Sequence, residues 1–174
     1  MRLLLRTVRP IGVLVLAFLA SVAFIARAEA EDAAGQIRDE TLIGALVNAA
    51  LDMAGEADDL KRAEACRRLV AMMAEDLKKS VKNGQLDRAA ALAMQIEGLL
   101  SDGVAANLRS AQAAVKGSGR QAEIDRIAVD VTRLSDQLTH LADEPPGSQS
   151  AEFRRALEGV HKARVAIEQA LVPR

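Results

Sequence analysis

Aromatic side chains are nearly absent from this sequence, which has three phenylalanines, no tryptophan and no tyrosine. Phe18 and Phe24 lie in an apolar amino-terminal stretch, and Phe153 is the only ring after it. Base stacking uses aromatic faces, and stable recognition interfaces are typically anchored by aromatic residues or arginine. One ring builds neither an aromatic platform nor an aromatic cage, so those modes of recognition are excluded. Cysteine is as scarce: Cys66 stands alone. No disulfide can form within the chain, which leaves an intermolecular bridge, a reactive thiol or a small buried hydrophobe. Proline is missing from Glu31 to Glu144. The alternating β-branched pattern of strands is missing with it, and helix formers dominate, so the chain reads as all-α.

Only one long apolar run is present. Arg2, Arg6 and Arg9 precede it, the run covers the 16 residues from Ile11 to Ala26, and Ala28-Glu29-Ala30 closes it with a small-x-small pattern. That order of basic flank, apolar segment and small residues is the pattern of a secretory signal peptide. The run is shorter than the roughly 20 residues a helix needs to cross a hydrocarbon core of about 30 Å. Residues 1–30 are therefore expected to be a signal peptide cleaved after Ala30, with Ala28 as the other site. A membrane anchor through residues 11–26 is the alternative. No cysteine lies near the cleavage region to carry a lipid. The expected location is exported, periplasmic or secreted.

Removing residues 1–30 leaves 144 of the 174 residues, and it takes away four arginines and one glutamate, so the formal charge moves from −1 to −4. A mildly acidic protein is favoured for solubility and lacks the net basic face that a phosphate backbone requires. Nucleic acid is not expected as a partner, and membrane contact is expected only through the amino-terminal segment if it is kept. The remaining length suits one domain. The reading is a flexible mature amino terminus at 31–38 and a single helical domain at 39–172.

Five amphipathic helices are predicted within that domain. The first runs from about Asp39 to Ala54, with Leu42, Ile43, Leu46, Val47, Ala50 and Met53 inward. Asp58 or Asp59 opens the second, whose stripe is Cys66, Val70, Met73, Leu77 and Val81; Asn83-Gly84 supplies its left-handed stop. The third begins near Leu86, and Leu92, Ile96, Leu100, Val104, Leu108 and Val115 keep phase past Ser101-Asp102-Gly103. That continuity predicts one long helix with a kink or break available at 101–103. Ser118 and Gln121 form a capping box that starts the fourth, with Ile124, Ile127, Val131, Leu134, Leu138 and Leu141 inward. Asp143-Glu144-Pro145-Pro146-Gly147 is a loop, and Ser150 caps the fifth helix, where Phe153, Leu157, Val160, Ile167 and Leu171 face inward.

Such helices must bury their stripes against one another, which predicts an antiparallel bundle of four to five helices. A stack of helical hairpins is the alternative. Gly84-Gln85-Leu86-Asp87-Arg88-Ala89 resembles the turn and second-helix start of a tetratricopeptide hairpin. The tryptophan, tyrosine and proline of that family's signature are missing, as is a second copy at its period of about 34 residues, so membership is not claimed.

Chemistry is harder to find. Asp136, His140 and Asp143 share a helical face by i, i+4, i+7 spacing, an arrangement that can hold a divalent ion. Taking Leu134 as the centre of the stripe, however, they fall at about 200°, 240° and 180°, toward water. His161 lies at the margin of its stripe. Cys66 has no histidine near it in sequence, and its place in the apolar stripe predicts burial. Ser80, Ser101, Ser110 and Ser135 lack the context of a nucleophile elbow, and Gly117-Ser118-Gly119-Arg120 is too short for a phosphate loop. No catalytic, cofactor-binding or metal residues are assigned, and no enzyme is expected. The functional expectation is an exported, non-catalytic helical protein that binds another protein of the envelope or secreted fraction. The alternative is a periplasmic chaperone-like or stress-responsive helical protein. The intact mass of the exported protein should correspond to residues 31–174 or 29–174, and recovery of a full-length, membrane-integral product would overturn the signal-peptide reading.

Overall fold

The computed structural model describes residues 46–51, 55–114 and 118–171, together with positions 44 and 53. The expected signal peptide at 1–30 and the expected flexible stretch 31–38 lie outside the described residues, as do Leu42, Ile43 and Val115. By its internal contacts the chain divides into two units, Met1–Gly55 and Glu56–Arg174. In the first unit, residues 46–51 are helical, as expected for part of the 39–54 helix.

The second unit is all-helical among its described residues, with five α-helices packed together: α1 (Asp59–Lys82), α2 (Leu86–Gly98), α3 (Ala106–Ala114), α4 (Ser118–Thr139) and α5 (Ala151–Leu171). Local chemistry fixes both ends of α1. The Asp58 carboxylate accepts from the Leu60 amide at 2.8 Å and the Lys61 amide at 3.4 Å, satisfying two donors that the first turn leaves open, a cap worth about 1 kcal/mol. At the other end Gly84 adopts φ +74°, a left-handed conformation that glycine takes at no steric cost. The Gly84 amide then donates to the Val81 carbonyl and the Gln85 amide to the Ser80 carbonyl, both at 2.9 Å. These two bonds close a Schellman motif.

Cross-helix contacts set the directions. Arg88 pairs with Asp76, Cys66 meets Gly103, Arg62 donates to Asn107, and Ser110 donates to Asp59, so α1 runs antiparallel to α2 and α3. Arg164 with Asp136 and Thr132 with Glu168 make α4 and α5 antiparallel in the same way. The two hairpins meet through like helices. Glu64 with Arg126, Arg67 with Asp130 and Lys78 with Gln137 ascend together, so α1 and α4 are parallel. The Glu97 carboxylate against Gly159 and the Gln112 amide on the Leu171 carbonyl make the α2–α3 limb parallel to α5.

Helix α2 does not break at 101–103. It passes into a π-helical segment, Leu99–Ala105, and continues as α3. A π turn carries one residue more than an α turn and is therefore wider. Here it brings Leu99, Leu100, Gly103, Val104 and Ala105 all into the interior. A Cβ on Gly103 would lie 2.6 Å from Cys66 Sγ, so glycine is what permits this approach. The Asn107 side-chain amide donates to the Gly103 carbonyl at 2.6 Å, and Arg62 Nε donates to Asn107 Oδ1 at 3.0 Å, tying the wide turn to α1.

The predicted stripes are largely those observed. Cys66, Val70, Met73, Leu77 and Val81 are buried, as are Phe153, Leu157, Val160 and Ile167, while Leu171 is half-buried. Helix α4 departs from expectation. Leu134 and Leu141 are half-buried and Ser135 is buried, so the inward face is centred about 70° away from Leu134 at 100° per residue. Two further details differ. Ser118 is the first residue of α4 rather than a residue before it, and the Gln121 amide donates forward to Asp125 at 2.8 Å. The loop after α4 also contains two short 3-10 turns, His140–Ala142 and Gly147–Gln149. Ser150 does cap α5, its hydroxyl accepting from the Phe153 amide at 3.1 Å.

Gly103→Ala should destabilise the protein by about 1–3 kcal/mol in denaturant unfolding, because overpacking outweighs the roughly 1 kcal/mol by which alanine favours a helix. Adding Cys66→Ala should recover part of that loss, and simple additivity of the two would rule out the contact. The Asp76–Arg88 pair spans 2.9 Å with side chains only 10% and 9% exposed. Asp76→Ala or Arg88→Ala should cost about 3–5 kcal/mol by stranding a buried charge, whereas replacing both with apolar residues of similar size should cost far less than the sum.

Candidate functional site

An open groove of about 710 Å³ lies between α4 and α5 in the second unit. Helix α4 supplies Ala128, Val129, Thr132, Arg133, Asp136 and Gln137, the following turn supplies His140, and α5 supplies Glu168 and Leu171. The groove exists because α4 and α5 turn their large apolar side chains inward and leave small or polar ones along the outer seam. Val129 and the half-buried Leu171 are exceptions, and Val129, at 65% exposure, offers a β-branched side chain to solvent.

Its charges are already tied. Arg164, only 20% exposed, donates to Asp136 at 2.6 Å and lies 3.7 Å from Glu168. Thr132 donates to the same Glu168 carboxylate at 3.4 Å, and Arg133 pairs with Asp130 at 3.3 Å. A half-buried arginine between two carboxylates ties α4 to α5 and offsets part of the negative charge there. What remains at the seam is an apolar strip with a polar rim.

The residues singled out in the sequence are scattered. Asp136 and His140 line the groove, but Asp136 is engaged by Arg164, and His140 and Asp143 are exposed. Among the described residues no three histidine, cysteine, aspartate or glutamate side chains are grouped as metal ligands. His161 is exposed rather than marginal. Ser80 is fully buried, Ser135 is buried, and Ser110 donates to Asp59. Cys66 is 3% exposed and far from water, against Gly103. Burial pushes its thiol up to about 11, overriding the Arg62 charge, which pulls the other way. The groove itself was not anticipated. Arg164 and Glu168 share a face at i, i+4 spacing, but nothing local reveals that Asp136 on another helix meets them.

No protein-family model, curated protein or solved structure matches this chain. Among the described residues no helix is long and apolar enough to cross a membrane.

Native protein should react slowly with a thiol reagent from neutral pH to about pH 9, and the unfolded chain, with an ordinary thiol near 8.5, should react rapidly. A thiol raised by burial keeps its proton when folded, so its contribution to stability is complete below the unfolded value and is lost as pH rises from about 9 to about 11. Cys66→Ala should remove that alkaline loss at a cost on the order of 1 kcal/mol, and rapid labelling of the folded monomer would contradict burial.

Proposed function

We propose that the protein is an exported, non-catalytic helical module, an antiparallel bundle built from two hairpins, that binds another protein of the cell envelope or secreted fraction through the α4–α5 groove. The observation that carries this reading is Val129, 65% exposed in an open groove whose neighbouring charges are paired with one another. An exposed β-branched residue gains by being covered, at roughly 25 cal/mol for each Å² of apolar surface removed from water. A rim whose charged groups already have partners within the protein adds less desolvation cost to that gain. The signal-like sequence at residues 1–30 supports the compartment.

A second reading, a chaperone-like protein that transiently holds unfolded chains, draws on Met72 and Met94, exposed by 41% and 52%. Methionine is flexible and polarizable, and adapts to varied apolar clients. Suppression of aggregation of an unfolded client by the purified protein would favour it.

Val129→Glu tests the first reading directly. The residue touches little, so thermal stability should change by no more than about 0.5 kcal/mol. Partner capture from an intact-cell envelope extract should fall at least about tenfold, since a charge placed in an apolar contact costs more than 1.4 kcal/mol. Capture unchanged by Val129→Glu would remove the groove as the binding surface.

A further inference from the structure

We draw no further inference here: the strongest candidate, the apolar strip of the open groove between α4 and α5 around Val129, belongs to the surface already proposed, and nothing in the structure shows what covers it.

Discussion

Alanine and glycine set the distance between these helices. Ala63, Ala74, Ala89, Ala93 and Ala105 are fully buried, and among the described residues the interior holds a single ring, Phe153, which is also fully buried. Interiors reach crystal-like density, so an interior short of bulky side chains must be filled by bringing backbones together. One contact records how near they come: a Cβ on Gly103 would lie 2.6 Å from Cys66 Sγ and 3.1 Å from its Cβ. Leu69, Met73, Leu92, Ile96 and Ile127 fill the spaces that remain, each contributing about 1.5–3 kcal/mol on burial. The one aromatic residue after the amino-terminal stretch is thus spent on packing.

Charge has a different task from cohesion. Glu64 bridges Arg67 on its own helix and Arg126 on α4, and Arg67 reaches on to Asp130. Hydrogen bonding by Arg67, assisted by Arg126, holds the Glu64 carboxyl below its ordinary value, so the tie persists at neutral pH and fails in acid. Exposed pairs of this kind contribute at most about 1 kcal/mol each. Asp76 and Arg88 are another matter, since both are nearly enclosed. Such a pair adds little net stability, yet any slip of α1 along α2 leaves two buried charges apart, which opposes alternative registers of the hairpin.

What could be read from the residues alone was whatever depends on near neighbours in sequence. The Asp58 cap, the Asn83-Gly84 stop and the Ser150 cap are each bonds between a side chain or a turn and the adjacent backbone, and all three stand where expected. The Cys66 stripe followed from periodicity in the same way. Helix α4 shows the limit. Its apolar residues are spread widely enough to allow several inward faces, and the face chosen, with Ser135 in and Leu134 partly out, is decided by α1 and α5. The Asp136–Arg164 tie and the groove it borders follow from that rotation. They belong to the pairing of helices, and no spacing within one helix encodes them.

The wide turn at Leu99–Ala105 changes which partner its helix addresses. One residue beyond the α repeat rotates everything downstream by about 100° relative to a regular helix. Before the turn, α2 leans on α5 more than on α1; after it, α3 leans on α1 more than on α5. A single unbroken limb is thereby divided into two segments of different phase, and one rod serves both hairpins without a loop to join them. The extra residue works as a mechanical coupling between shafts set at different angles, and the glycine within it gives Cys66 the room to sit against the joint.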